Sequence, residues 1–220
     1  MKTIVITGAS RGIGFATAQK FLKSDWFVIG TATNGKINIE DEDFFPVSLD
    51  YLKPETITEA VSCIKNTDRM ITLLVNNAGT ARDVLDDPLD IDLLREDIEV
   101  NLIGPADFTN RLLGQLDSPS HIINISSMGA SLCEPIEDSW NVPAYKISKA
   151  GLNMFTRTMS YQLRGEGITV SSLDPGWVRT DMGGKDAPID PQEVAAEVFD
   201  LASRKVETGQ FWLHGKKRSW

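Results

Sequence analysis

The sequence is short of the residues that build metal centres and disulfide frameworks. Its 220 residues include two cysteines and two histidines. Cys63 and Cys133 match no metal-ligand spacing, and two histidines are too few for a histidine-based site, so we expect no bound metal. So few cysteines fit a reducing compartment.

Positive charge and long apolar runs are also lacking. There are 22 Lys and Arg against 31 Asp and Glu, a net charge of −9. This argues against a nucleic-acid partner, because phosphate neutralisation needs clustered basic residues. The basic run Lys216-Lys217-Arg218 is expected to be a solvated tail. With no apolar stretch of membrane-spanning length and no signal peptide before the first strand, we expect a soluble cytoplasmic protein without a membrane partner.

What is present is the pattern of an α/β protein. The length suits one domain, residues 1–220. Apolar runs predict strands at residues 3–7, 26–30, 44–49, 70–75, 121–125, 168–173 and 210–213. Helical patterns lie at residues 15–23, 54–66, 90–115, 145–164 and 191–203. This alternation predicts a doubly wound parallel sheet of about seven strands with helices on both faces, a Rossmann-type fold.

A glycine-rich turn follows the first strand. Gly8, Gly12 and Gly14 are spaced Gly-x-x-x-Gly-x-Gly, directly before a helix. Strand, glycine-rich turn and helix form the unit that binds a dinucleotide, because the backbone can approach the pyrophosphate and the helix N-terminus offers unpaired N–H groups. The alternative is an ordinary helix start with flexible punctuation. Three further strand ends, at residues 76–79, 126–127 and 174–176, are expected to converge on the same crevice.

Tyr145 and Lys149 lie four residues apart at the start of a predicted helix, and therefore on one face. An ammonium about 4 Å from the hydroxyl, at an effective dielectric of about 20, contributes about 4 kcal/mol, or roughly three pKa units. It would bring the pKa of Tyr145 from about 10 towards 7 and make it a general acid–base group. Ser127, at a strand end, would hold the same substrate oxygen. The alternative is an exposed pair on a helix surface.

Taken together, these motifs resemble the short-chain dehydrogenase/reductase family over essentially the whole chain. The matching segments are residues 7–14, 76–79, Asn101, Ser127, Tyr145 with Lys149, and residues 175–180. Within the family, residues 174–184 and the ending 215–220 are most similar to C-factor and sniffer-type carbonyl reductases. The front half is also similar to β-ketoacyl-carrier-protein reductases.

The resemblance implies a role for each matching residue. Tyr145 would protonate the carbonyl oxygen, Lys149 would lower its pKa and hold the nicotinamide ribose, and Ser127, rather than Ser126, would polarise the carbonyl. Asp50 would lie by the adenine, and Val178 and Thr180 would contact the carboxamide. The cofactor-binding set is Gly8, Ser10, Arg11, Gly12, Ile13, Gly14, Thr31, Thr33, Asp50, Asn77, Ala78, Gly79, Tyr145, Lys149, Pro175, Gly176, Val178 and Thr180.

Asn101 completes the predicted catalytic set. Pro105 lies four residues later and has no N–H to donate to the Asn101 carbonyl. That carbonyl would be left to hold a water, as the family's relay between the lysine and solvent requires. The alternative is a simple proline kink in a surface helix.

NADP(H) is the expected cofactor. An NAD enzyme usually places an acidic residue near the end of its second strand, and residues 28–34 contain none. Arg11 and the hydroxyls of Thr31 and Thr33 would contact the 2′-phosphate. The alternative for Arg11 is a solvated loop residue.

The leading prediction is therefore NADPH-dependent reduction of a small-molecule carbonyl, an aldehyde or ketone. The alternatives are β-ketoacyl thioester reduction and a dinucleotide-binding signalling protein with little turnover. Ala150 and Gly151 would permit close helix packing against another subunit, so a homodimer or homotetramer is expected. The loop at residues 133–141 is longer than in many members of the family that the chain resembles.

Overall fold

The structure is a computed structural model that describes residues 1–83, 88–133 and 141–220. Its strands in these ranges are β1 Thr3–Ile6, β2 Phe27–Ala32, β3 Phe44–Ser48, β4 Ile71–Asn76, β5 Leu116–Ile125, β6 Ile168–Leu173, β7 Gln210–Leu213 and β8 Lys216–Arg218. They form one sheet in the order β3-β2-β1-β4-β5-β6-β7-β8. All neighbours pair in parallel except β7 and β8, which are antiparallel.

The α-helices of the described chain are α1 Gly12–Leu22, α2 Pro54–Lys65, α3 Ile91–Ile98, α4 Gly104–Leu112, α5 Pro143–Gln162 and α6 Pro191–Ser203. Local chemistry explains several starts. Pro54, Pro143 and Pro191 lie in first turns, where a missing N–H costs nothing. Asp190 also caps α6 through a capping box with Glu193.

Helices cover the sheet on both faces. Val5 packs with Ile64 of α2, Phe108 of α4 and Met159 of α5 on one face. On the other face Ile4 and Ile6 pack with Phe21 of α1 and Val198 of α6. Successive β1 residues thus enter opposite cores, as a strand buried on both sides requires. The predicted doubly wound α/β fold is confirmed.

The predicted long helix at residues 90–115 is a composite. After α3, a π-helical turn spans Glu99–Ile103 before α4 begins, and a 3₁₀ turn closes the segment at Leu113–Gln115. Asn101 is the middle residue of the π-helical turn, and Gly104 and Pro105 begin α4 directly after it.

The expectation of a solvated tail at residues 216–218 is wrong. These residues form β8, an eighth strand, with Arg218 opposite Phe211 of β7. His214 and Gly215 both have positive φ, 49° and 71°, which is the geometry of a two-residue hairpin. The aromatic ring of Trp220 then stacks on Phe211, with ring centroids 5.4 Å apart.

The order in which the chain adds strands to the sheet reverses between β1 and β4. In such a sheet, ligands bind beyond the carboxyl ends of the strands at this switch point. The glycine-rich turn after β1 and residues 76–79 after β4 lie at that edge, as predicted.

Candidate active site

The glycine-rich turn is tied to its neighbours by backbone geometry. Gly8 and Gly12 have positive φ, 69° and 56°, which favour glycine. A Cβ on Gly14 would lie 2.3 Å from the Gly8 carbonyl oxygen, so no larger residue fits there without moving the turn. The Gly8 N–H donates to Thr31 Oγ1 at 3.3 Å, and the Ala9 N–H to the Thr31 carbonyl at 2.7 Å. These contacts fix the turn over the ends of β1 and β2.

The N-terminus of α1 opens beside this turn. Within the described residues, the side chain of Arg11, which precedes the helix, caps none of its amide groups. The Arg11 guanidinium is exposed and lies 3.2 Å from Asp181 Oδ2. A Cβ on Gly12 would be 3.1 Å from the Thr180 methyl, so the loop after β6 borders the turn. An uncapped helix end of this kind suits a bound phosphate.

Asn77 joins the ends of β1 and β4. Its side-chain amide donates to the carbonyls of Thr7 at 2.9 Å and Gly8 at 3.1 Å. In return, Thr7 Oγ1 accepts the N–H groups of Asn77 and Ala78, each at 3.0 Å. The chain then passes Gly79, whose added Cβ would lie 3.2 Å from Lys149 Nζ. Residues 77–79 therefore join the glycine-rich turn to the lysine at one edge of the sheet.

Tyr145 and Ser127 lie together at the sheet edge. The Tyr145 side chain, in the first turn of α5, is buried, and the Ser127 side chain lies close enough to lower its pKa. Ser127 Oγ also accepts the Gly129 N–H at 3.1 Å, at the start of a 3₁₀ turn. Ser126 instead donates its hydroxyl to Asn153 Oδ1 at 2.7 Å. Ser127 is thus the serine that meets Tyr145.

The predicted drop in the pKa of Tyr145 is wrong for the chain on its own. Burial raises the pKa of Tyr145 to about 12; the Ser127 hydrogen bond lowers it, and the Asp174 and Asp97 carboxylates raise it. Lys149 Nζ lies 5.9 Å from the centre of the tyrosine ring and donates to the Ile125 carbonyl at 2.9 Å. Burial lowers the pKa of Lys149 to about 8, against the attraction of Asp97. Desolvation is the largest cause of the pKa shift in both residues.

Asn101 is buried in the π-helical turn and links two segments of the site through its side chain. Its Oδ1 accepts the Thr80 N–H at 2.8 Å, and its Nδ2 donates to the Thr80 carbonyl at 2.8 Å. The same Nδ2 donates to Ser148 Oγ at 2.9 Å, and Ser148 Oγ donates to the Tyr145 carbonyl at 2.7 Å. Asn101 therefore connects the segment after Gly79 to the helix that carries Tyr145.

Two acidic residues near the site are absent from the sequence-based set. Asp83 accepts the N–H groups of Ala144 at 3.2 Å and Tyr145 at 2.8 Å, and so caps α5 from a distant segment. Asp97 is fully buried on α3. Its own burial and the Asp83 charge raise the pKa of Asp97 to about 6, against the Arg82 N–H, Arg82 and Lys149. The sequence signal for Asp83 was the charged pair Arg82-Asp83, which follows Gly79 closely.

A buried chain of polar side chains under the site was also missed. Asn76 donates to Asn124 Oδ1 at 2.8 Å, and Asn124 donates to Thr156 Oγ1 at 2.8 Å. Thr156 pairs with Ser172 at 2.9 Å, and Ser172 donates to Asn153 at 2.9 Å. The chain joins β4, β5 and β6 to α5. Asparagine and serine at the ends of otherwise apolar strands were its sequence signal.

The remaining predicted cofactor residues are spread along the same edge. Thr31 is buried, whereas Ser10 and Thr33 are exposed. Asp50 lies beyond β3, where its carboxylate accepts the Leu52 N–H at 3.1 Å and lies 3.2 Å from Lys53 Nζ. The other predicted members at this edge are Ile13, Pro175, Gly176, Val178 and Thr180. Residues 134–140 of the long loop lie outside the described residues.

The loop after β6 has its own internal contacts. Val178 forms an isolated bridge with Ile189, and the Gly183 N–H donates to Thr180 Oγ1 at 3.2 Å.

Within the described residues, no helix has both the length and the apolar character needed to cross a membrane.

A parallel sheet whose switch point carries a glycine-rich turn defines the Rossmann class of dinucleotide-binding folds. The chain belongs to the short chain dehydrogenase family, whose sequence model matches residues 2–189. The predicted family is thereby confirmed, and with it the class of oxidoreductases.

Three similar proteins illustrate the relationship. The 3-oxoacyl-[acyl-carrier-protein] reductase FabG of Vibrio harveyi is 30% identical over 92% of this chain and 90% of its own length. The crystal structure of an NADPH-bound carbonyl reductase from chicken fatty liver is 28% identical, with a TM-score of 0.92 over 100% of this chain and 94% of that one. The carbonyl reductase Sniffer of D. melanogaster, at 24% identity, shares the fold, with a TM-score of 0.88 and full coverage of both chains.

Proposed function

We propose that this protein is an NADPH-dependent carbonyl reductase that converts an aldehyde or ketone to an alcohol. One observation carries the proposal. The buried Tyr145 side chain lies beside Ser127 and is flanked by Lys149, at the edge of the sheet that also holds the glycine-rich turn. A substrate oxygen placed between Tyr145 and Ser127 would meet two hydroxyl donors.

The residues at the sheet edge fit a dinucleotide. The uncapped N-terminus of α1 and the glycine-rich turn would hold the pyrophosphate, and Lys149, which lies beside Gly79, would hold the ribose. When bound, the reduced nicotinamide supplies the hydride. NADPH is favoured over NADH because residues 28–34 carry no carboxylate and Arg11 lies at the turn. The similar carbonyl reductase from chicken fatty liver binds NADPH.

The chain's own part in the reaction is proton transfer and polarisation. With a pKa of about 12, Tyr145 is protonated at neutral pH, so its hydroxyl can donate a proton to the developing alkoxide. Ser127 would donate a second hydrogen bond to the same oxygen and stabilise its charge. Lys149, with a pKa of about 8, is mostly charged at neutral pH and would stabilise the tyrosinate left behind. Reprotonation would follow through Lys149 and water held at the Asn101 carbonyl.

The proposal is tested by turnover of the purified protein with NADPH or NADH and a panel of aldehydes, ketones and quinones. We expect oxidation of NADPH with at least one carbonyl and a clear preference for NADPH over NADH. Tight NADPH binding without turnover of any carbonyl would contradict the proposal and favour a dinucleotide-binding signalling protein.

A second candidate substrate is a β-ketoacyl thioester, because one similar protein is a 3-oxoacyl-carrier-protein reductase. A carrier protein is acidic, and this chain also carries a net negative charge, −9. Because like charges disfavour association, this candidate ranks lower. The same assay with a short β-ketoacyl thioester separates the two. A thioester turned over faster than every simple carbonyl would replace the first candidate.

We also propose that the protein is a homodimer or homotetramer. The support is an exposed apolar row on α5, with Ile147 and Met154, beside the exposed Ile103 of the π-helical turn. Gly151 does not contribute as predicted, because a Cβ there would already lie 2.6 Å from Leu102 of the same chain. Sedimentation analysis of the wild type and of Met154→Glu tests this proposal. A monomeric wild type would contradict it.

A further inference from the structure

Arg218 and Asp174 form a buried ion pair between β8 and the end of β6. Their side chains are only 10% and 2% exposed, and Arg218 Nη1 bonds Asp174 Oδ2. The neighbouring Lys217 pairs with Glu207 on the surface, where the two side chains are 48% and 62% exposed. A buried ion pair stabilises a fold less readily than an apolar contact, because both charges lose their water. We therefore interpret this pair as fixing the position of β8 relative to the end of β6.

Asp174 also borders the 3₁₀ turn that follows Ser127. Its carboxylate accepts the Gly176 N–H at 2.9 Å, and the N–H of Met128, the residue that follows Ser127, lies close enough to lower the pKa of Asp174. Burial raises the pKa of Asp174, while these N–H groups and Arg218 lower it. The Asp174 carboxylate therefore faces the first backbone N–H of the turn that begins at Ser127.

The residues after Arg218 hold the other end of the same turn. The Leu132 N–H donates to the Trp220 carbonyl at 3.1 Å, and Ser131 Oγ to the Ser219 carbonyl at 3.4 Å. The Trp220 ring is fixed between Phe211, with ring centroids 5.4 Å apart, and the Arg157 guanidinium, 5.6 Å from the Trp220 centroid. Residues 127–132 are therefore anchored at both ends by residues 218–220.

We propose that Arg218 is a positioning residue for Ser127, which acts through Asp174 and the Met128 N–H to keep the serine hydroxyl at Tyr145. The inference rests on the proposed function for its catalytic consequence. Its structural part, the anchoring of residues 127–132 by β8, does not depend on turnover. Arg218, the last residue of the basic run at residues 216–218, thereby acquires a role in the active site.

The test compares Arg218→Met with Arg218→Lys and with the matched control Lys217→Met, which removes the same charge from the same strand. We expect Arg218→Met to lower kcat at least about tenfold with KM for the carbonyl and the Kd of NADPH within about twofold, because a misplaced polarising group affects the transition state more than binding. Arg218→Lys should recover most of kcat. Lys217→Met should match the wild type.

Hydrogen–deuterium exchange supplies a readout that needs no turnover. In Arg218→Met, amide exchange should rise in residues 127–132 and stay unchanged in β1. Asp174→Asn, which keeps the shape of the side chain, should show the same local rise and serves if Arg218→Met does not fold. Unchanged exchange in residues 127–132, or kcat for Arg218→Met equal to that of Lys217→Met, would overturn the inference. A wild type without turnover that still shows the local exchange change would refute the proposed function alone.

Discussion

Burial shifts the pKa values of the two titratable side chains at the centre of the site in opposite directions. Burial raises the pKa of Tyr145 to about 12 and lowers that of Lys149 to about 8. Burial disfavours whichever form is charged, so the tyrosine holds its proton while the lysine holds its own less firmly. At neutral pH the pair is a proton donor beside a mostly charged ammonium, the state that carbonyl reduction requires.

Arg11 is where cofactor choice is expected to be decided. Because a charge-assisted contact to phosphate contributes roughly 1.5–3 kcal/mol, Arg11→Ala should weaken NADPH binding about tenfold to a hundredfold and leave NADH binding nearly unchanged. Asp181 lies 3.2 Å from the guanidinium and would compete with the phosphate. Asp181→Asn should therefore strengthen NADPH binding. Titration of both cofactors against the three proteins measures this, and equal losses for NADPH and NADH in Arg11→Ala would refute it.

The sequence indicates which residues meet at the site, but it does not indicate how deeply they are buried or which charges lie near them. The spacing of Tyr145 and Lys149, and the position of Ser127 at a strand end, predicted three residues that the fold brings to one edge. The pKa of Tyr145 was mispredicted because pair spacing carries no measure of burial. The pairing of Arg11 with Asp181 joins segments 170 residues apart in sequence, and no local pattern reports it.

At the scale of elements, α5 is the part of the fold on which the site depends most. It carries Tyr145, Ser148, Lys149 and Asn153, yet Val142 before it provides no side-chain cap. Asp83 supplies that cap from another segment, with two hydrogen bonds to the first amide groups. A carboxylate at a helix N-terminus is also favoured by the helix dipole.

Replacing Asp83 by alanine tests this cap. We expect a loss of about 1–2 kcal/mol in the free energy of unfolding, because two N–H groups lose their acceptor. Activity should fall about tenfold, because the first turn of α5 positions Tyr145. Denaturant unfolding and steady-state kinetics measure the two effects.

The matched control is Asp92→Ala, which removes an exposed ion pair with Arg95 on α3. Such a pair contributes under about 1 kcal/mol, so stability and activity should stay close to the wild type. An Asp83→Ala variant as stable and active as this control would show that α5 does not need the cap.

Elements differ in how far the sequence reports them. Apolar runs and first-turn prolines placed β6, β7 and α6 at their observed bounds, because both signals are local. Around Asn101 the sequence predicts plain helix, because Pro105 indicates a lost hydrogen bond but not the π-helical turn that results. For β8 the sequence predicts a tail, because the strand is stabilised by the hairpin at His214 and Gly215 and by contacts of residues 174, 211 and 220 rather than by its own basic residues.

At the scale of the whole molecule, the sheet interior is polar in places as well as apolar. His121 in β5 is buried, and its Nε2 lies 2.9 Å from Ser171 Oγ in β6. Burial lowers the pKa of His121 to about 4. The imidazole is therefore neutral in the folded protein over a range where the unfolded chain takes up a proton.

This linkage predicts a loss of stability in acid. The unfolded pKa is about 6.5 and the folded pKa about 4, so the unfolded state binds more protons between them. The free energy of unfolding should fall as pH decreases through this window, by about 3 kcal/mol for this residue. His121→Gln, which keeps a partner for Ser171, should remove that part of the pH dependence.

The comparison between the two proteins is needed because Asp97 titrates in the same range with the opposite sign. Its folded pKa of about 6 lies above the unfolded value, so it contributes a gain in stability as pH decreases. Asp97 is present in both proteins, and the difference between their unfolding curves isolates His121. A difference that does not change between pH 7 and pH 4 would show that the imidazole is not buried as described.

The account depends most on Tyr145 as the proton donor in carbonyl reduction. Tyr145→Phe keeps the packed ring and removes the hydroxyl, so the measurement is NADPH-dependent carbonyl turnover together with the Kd of NADPH, in the wild type and in this variant. The account predicts at least about a hundredfold loss of kcat with the Kd of NADPH within about twofold. A phenylalanine variant that retains kcat within a few-fold of the wild type would contradict it.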